Sequence, residues 1–148
     1  MSDPGRVFID TNILVYCADR GDSQRRQRCR ELVRHLRSQH RAVISTQVLQ
    51  EFYVVATAKA GVDPVKAKAI CANLGQMPTV TVTSNLIEQA IDCHQSARIS
   101  FWDALVVVSA RNADCTHLLT EDLNPGKAIA GVRVVHPTDA DPFLSPNA

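Results

Sequence analysis

The chain has 148 residues, 45% of them hydrophobic and 21% charged, the size and mix of one compact domain with little room for a second core. Sixteen Lys and Arg stand against 15 Asp and Glu, and a formal net charge of +1 argues against a general polyanion-coating protein while leaving room for a local basic patch. Mean hydropathy is −0.07 and no apolar run approaches the roughly 18–20 residues of a bilayer span, so a membrane protein is not expected.

Taken in chain order, short β-branched runs alternate with longer helical patterns. Val7-Phe8-Ile9 is the first strand, closed by Asp10-Thr11-Asn12. From Asp22 to Gln39, Cys29, Leu32, Val33 and Leu36 fall at helical spacing among arginines. Ala42-Val43-Ile44 is the second strand, and Ser45 caps a helix whose inner face carries Val48, Leu49, Phe52, Val55 and Ala56. Gly61-Val62-Asp63-Pro64 is a break, with Pro64 opening a helix to Leu74. Thr79-Val80-Thr81-Val82-Thr83 reads as a strand, and Asn85-x-x-Glu88 as the cap of a helix from Leu86 to Ala97. Ser100 to Ala113 is apolar on almost every side, which marks a central, buried helix. His117-Leu118-Leu119 and Val132 to Val135 supply the last strands. A single domain spans 1–148 with its core at about 7–136, and the Pro- and polar-rich ends, Met1 to Arg6 and Pro137 to Ala148, are expected to be loose. This alternation predicts an α/β fold: a parallel sheet covered on both faces, with ligands at its carboxyl edge.

Several chemistries find no support. Cys17, Cys29, Cys71, Cys93 and Cys115 include no C-x-x-C, so neither a zinc site nor a disulfide framework is indicated, and reduced apolar thiols are expected. The opening residues lack the pattern of a signal peptide, which together with the thiols points to the cytoplasm. Neither glycine-rich phosphate motif nor a G-x-S-x-G elbow is present.

Four acids fall where this architecture gathers side chains on one edge. Asp10 ends the first strand, and Glu51 lies within two turns of the start of the helix after the second. Asp103 sits in the first turn of the buried helix, and Asp122 just past the fourth strand. Each has a plainer reading: Asp10 as a helix cap, Ser100-x-x-Asp103 as a capping box, Asp122 as part of a polar turn before Asn124-Pro125-Gly126. Glu51 resists such a reading, because Val48 and Val55 direct it towards the interior. No Lys or Arg lies within four residues of Glu51 or Asp103. Two carboxylates about 4 Å apart repel by roughly 4 kcal/mol at an effective dielectric near 20. Either some are protonated or a cation sits among them, and an all-oxygen cluster suits Mg²⁺ or Mn²⁺.

In order along the chain, Val7-Phe8-Ile9-Asp10-Thr11-Asn12, Ser45-x-x-Val48-Leu49-x-Glu51-Phe52, Ser100-Phe101-Trp102-Asp103-Ala104-Leu105 and Leu118-Leu119-Thr120-Glu121-Asp122-Leu123 resemble the PIN domain, and within it VapC-type toxins. The resemblance implies a three-layer α/β/α sandwich and an Mg²⁺- or Mn²⁺-dependent endoribonuclease. It places Asp10, Glu51, Asp103 and Asp122 at the catalytic and metal-binding positions, with Thr11, Asn12, Thr120 and Glu121 in support. It also implies a homodimer held inactive by a small antitoxin protein. An RNA-processing nuclease without an antitoxin, and a non-catalytic RNA- or protein-binding domain, are the alternatives.

RNA must also be held. Residues 20 to 41 carry eight of the 16 basic residues against two acids, so Arg25, Arg26 and Arg28 are candidate phosphate contacts, with Lys127 a second candidate near Asp122. A solvated helix face, or a dimer or antitoxin surface, would leave the same pattern. Trp102 reads as a packing residue rather than a base-stacking platform.

Overall fold

The computed structural model describes residues 4–140. Six strands form one sheet: β1 (Arg6–Ile9), β2 (Ala42–Ser45), β3 (Thr79–Val80), β4 (Cys115–Leu119), β5 (Ala128–Ile129) and β6 (Val132–Val135), in the order β3-β2-β1-β4-β6-β5. All pairings are parallel except that of β5 with β6. Helices α1 (Thr11–Ala18), α2 (Ser23–Ser38), α3 (Thr46–Ala58), α4 (Pro64–Leu74), α5 (Ser84–Ala97) and α6 (Phe101–Asn112) flank it, making an α/β sandwich.

The central strands are apolar without alternation because both faces of the sheet are covered. Val7, Phe8 and Ile9 of β1 and Leu118 and Leu119 of β4 are fully buried, paired Phe8 to Leu118 and Ile9 to Leu119. Every residue of α6 from Ala104 to Ala110 is buried, as expected for a helix apolar on all sides. This helix packs against α5, β4 and β2, while α1 packs against α2 and α3. Buried residues of α2 are Cys29, Leu32, Val33 and Leu36, the four at helical spacing in the sequence.

The structure corrects several expectations. The third strand stops at Val80, not Thr83: the Val82 N–H donates to the Thr46 hydroxyl (3.1 Å), and Thr83, rather than Asn85, caps α5 by accepting from the Leu86 N–H (3.2 Å). A helix, α1, follows Asp10 directly, and β5 turns back onto β6. The two-residue turn between them holds Ala130 and Gly131 at φ 51° and 83°, as a primed hairpin turn requires of both central residues. Arg6 belongs to β1, and Pro137–Asp139 forms a 3-10 turn with Pro137 and Ala140 buried. The rest of the expected loose ends, 1–3 and 141–148, lies outside the described residues. All five cysteines are free, and no helix among the described residues is long and apolar enough to cross a membrane.

Candidate functional site

The carboxyl edge of β1 and β4 carries a compact hydrogen-bonded group. Asp10 is 5% exposed, and as the N-cap of α1 it accepts from the Thr11 N–H at 2.7 Å. The capping role and a chemical role therefore fall on one residue. Thr120, fully buried at the end of β4, donates its hydroxyl to Asp10 Oδ2 at 2.8 Å. Thr120 Oγ1 in turn accepts from Asn12 Nδ2 (3.3 Å) and from the Asp122 N–H (3.0 Å). One threonine thus ties together α1, the first strand's end and the turn that carries Asp122. Burial pushes the Asp10 carboxyl up to about 7, opposed by the Thr120 hydroxyl and the Thr11 N–H and reinforced by Asp122 and Glu51.

Helices α3 and α6 bring the other two acids. Ser45 caps α3 by accepting from the Val48 N–H (3.3 Å), and in the second turn Glu51 is half-buried. Ser100 caps α6 by accepting from the N–H of Asp103 (3.0 Å), so the capping-box reading of that pair holds for the hydroxyl. Burial raises the pKa of Glu51 despite the Gln47 amide, and Asp122 and Asp103 raise it further. Burial likewise raises Asp103 against the Ser100 hydroxyl, with Asp122 adding to it. Asp122, itself exposed, thus repels all three of the others.

None of the four carboxylates pairs with Lys, Arg or His among the described residues. Glu51 Oε1, Thr11 Oγ1 and Asn12 Oδ1 are buried without a hydrogen-bond partner, an arrangement that leaves acceptor oxygens unsatisfied. Carboxylate, amide and hydroxyl oxygens are the donor set of a hard divalent cation. Among the described residues no three His, Cys, Asp or Glu side chains are drawn together into a ready-made ion cage.

Thr11 reaches Asp10 through its backbone rather than its hydroxyl, and Glu121 turns away from the acids. Glu121 accepts from the Tyr16 hydroxyl and lies 3.6 Å from His136 Nε2, while the Arg25 guanidinium covers the Tyr16 ring at 4.0 Å. That link joins residues 105 positions apart and has no signal in the sequence. The arginines of α2 do not form one stripe. Arg26 and Arg30, one turn apart, donate to the carbonyls of Asp19 (3.0 Å) and Cys17 (2.7 Å) beside a cavity of about 720 Å³. Arg25 and Arg28 instead line a cleft of about 560 Å³ that reaches Glu121. Lys127 is exposed on the turn before β5. Gln47, buried in the first turn of α3, was not foreseen: its Nε2 donates to the Trp102 carbonyl at 3.2 Å. Trp102 is exposed, contrary to a packing role.

A family model described as the PIN domain matches residues 7–129. No curated protein sequence matches the chain. Among solved structures, the chain is similar to DNA-bound VapBC from Salmonella typhimurium, at 17% identity and a TM-score of 0.65 over 89% of this chain and 98% of that one. A toxin–antitoxin complex from Klebsiella pneumoniae aligns at 19% identity and a TM-score of 0.64, over 88% and 97% of the two chains. The Mycobacterium tuberculosis toxin VapC20, which cleaves the sarcin-ricin loop, aligns at 21% identity and a TM-score of 0.60, over 76% and 86%. At these identities the likeness is one of fold.

Proposed function

Because this chain belongs to the PIN domain family, whose members are in general nucleases that use a divalent metal, we propose that it is an Mg²⁺- or Mn²⁺-dependent endoribonuclease and the toxin of a toxin–antitoxin pair. The observation that carries the reading is the electrostatic one. Four carboxylates from four separate stretches act on one another, and no cationic side chain answers any of them among the described residues. A binding module would gain nothing from unpaired acids facing phosphates, whereas a hydrolase needs them to hold a cation.

Asp10 and Asp103 would hold the ion, with Glu51 and Asp122 completing its surroundings or orienting water. A divalent ion held there would supply the acidity that activates water and the positive charge that offsets the phosphate. Thr120 fixes the Asp10 carboxylate and the Asp122 backbone at once, so the protein supplies position. Thr11 Oγ1 and Asn12 Oδ1, next to Asp10 in the chain, remain as unspent acceptor oxygens. Of the candidate phosphate contacts Arg25, Arg26, Arg28 and Lys127, Arg25 and Arg28 line the cleft that reaches Glu121, and products with 5′-phosphate and 3′-hydroxyl ends are expected. The antitoxin, and a homodimer, are proposed from the likeness to toxin–antitoxin complexes and the sequence resemblance.

The test is inducible expression of the wild type and of Asp10→Asn, with mapping of new RNA ends, alongside cleavage of RNA and DNA by purified protein with and without Mn²⁺. Growth arrest and new 5′-phosphate ends in the wild type alone are expected. Cleavage in vitro without growth arrest would leave a nuclease with no toxin role, and calorimetry showing no Mn²⁺ binding would remove the enzymatic reading.

A further inference from the structure

Trp102 occupies an unusual position. It lies in the first turn of α6, next to Asp103 in the chain, so their Cα atoms are about 3.8 Å apart. Yet 64% of its surface is open to solvent. The preceding ring, Phe101, meets it edge-on, with centroids 5.1 Å apart and planes at 74°. The Gln47 amide holds its carbonyl from α3, the helix that carries Glu51. A large ring on a helix, its ring braced by an aromatic edge and its backbone by a buried side chain, loses little freedom on receiving a ligand. An exposed indole one residue from Asp103 is open to the bases of a strand whose phosphate approaches that carboxylate.

We propose that Trp102 is a stacking platform for one unpaired base of a single-stranded RNA segment, setting the register of the strand so that its phosphate reaches the acids. This rests on the nuclease reading above and assigns one base-contacting residue to its substrate site. In a duplex the base faces are covered by their neighbours, so an indole cannot stack on one without unstacking it. Single-stranded RNA offers that face freely, and recognition by aromatic stacking follows from it.

The chain has one tryptophan, so its fluorescence reports this residue alone. Titration of the Asp10→Asn protein, in which the strand stays intact, with a single-stranded octaribonucleotide and Mn²⁺ is expected to quench the emission saturably. A blunt RNA duplex of the same length is expected not to. With the wild type, Trp102→Ala is expected to raise KM for a single-stranded substrate by roughly 5- to 150-fold, the worth of one stacked base, with kcat changed much less. Trp102→Phe is expected to recover most of that loss, and circular dichroism checks that each variant is folded. Equal quenching by duplex, no quenching by a strand that competes for cleavage, or an unchanged KM in Trp102→Ala would overturn the proposal with the nuclease reading intact. Emission already shifted to short wavelength in the free protein, and lost on dilution, would assign the ring to contact with a second copy instead. If the wild type cleaves no RNA, the nuclease reading falls, while the titration still shows whether a strand seats on the indole.

Discussion

The two halves of the acidic edge are built differently. At the strand ends, Asp10 is buried and bonded to both Thr11 and Thr120, and the same threonine hydroxyl anchors the Asp122 backbone. At the helix starts, Glu51 and Asp103 ride on rigid, capped helices, and Glu51 Oε1 has no partner. The first half fixes a carboxylate by two hydrogen bonds, whereas the second relies chiefly on the helices, with the Gln47 amide and the Ser100 hydroxyl as lesser partners. A group held by bonds resists movement but has fewer lone pairs left, whereas an unbonded one is available but costs more to bury. The contrast gives each acid a distinct response to substitution.

Asp10→Asn tests it most sharply. Cleavage is expected to fall more than about 100-fold, beyond the usual effect of a supporting residue, as measured by initial rates on an RNA substrate with Mn²⁺. The same change is expected to stabilise the ion-free protein. Asp10 keeps its proton in the folded chain to about pH 7, whereas an ordinary aspartate loses it near 3.8. Between those values the folded state binds more protons than the unfolded one, so stability falls as pH rises from about 4 to about 7. The loss is on the order of 4 kcal/mol at most. Thermal melts in chelator are expected to place Asp10→Asn above the wild type at pH 8, with the gap closing towards pH 4. Mn²⁺ is expected to raise the wild-type melting temperature at pH 8 and to do little for the variant. A variant that melts lower at every pH would show that Asp10 is a structural cap and nothing more.

Thr120→Val is next in size. It removes one hydroxyl that serves Asp10, Asn12 and Asp122 together, so activity is expected to drop by about 10- to 100-fold. Loss of these buried bonds is expected to cost about 1–3 kcal/mol in denaturant unfolding, with Thr120→Ser recovering most of both. An effect confined to stability would separate the bonded half from the chemistry. Glu51→Gln probes the other half: with Oε1 unpartnered and burial raising the carboxyl, the metal-free variant is expected to melt higher at pH 8 while losing activity.

The sequence discloses the positions of the acids better than their surroundings. Asp10, Asp103 and Asp122 stand at element ends, which apolar runs such as Val7–Ile9 and Ala104–Ala110 mark unmistakably, and caps at Ser45 and Ser100 fix the two helix starts. Helix α1 was signalled only by the cap reading of Asp10, because Thr11–Ala18 is short and rich in residues that suit strands as well. β5 has two residues and exists only through a turn that puts Ala130 at positive φ. The split of the α2 arginines was legible in principle, since 25 and 28 share one face and 26 and 30 another. The exposure of Trp102 was not, because an apolar residue beside a buried run reads as core until the neighbouring helices are placed.

The adjacent pair Glu121 and Asp122 shows the same division at its smallest scale. Glu121 spends its oxygens on Tyr16 and His136, while the Asp122 charge bears on the other three acids. Tyr16→Phe removes the hydroxyl and leaves the ring under Arg25, so it cuts the tether from α1 to the turn without disturbing the packing. The expected cost is about 0.5–1.5 kcal/mol in unfolding and a fall in activity of less than about tenfold, because Thr120 still holds the Asp122 backbone. Combining it with Thr120→Val is expected to lower activity by more than the product of the single effects, since both tethers of one turn are then gone. Strictly multiplicative rates would mean that Glu121 is a surface anchor with no part in setting Asp122.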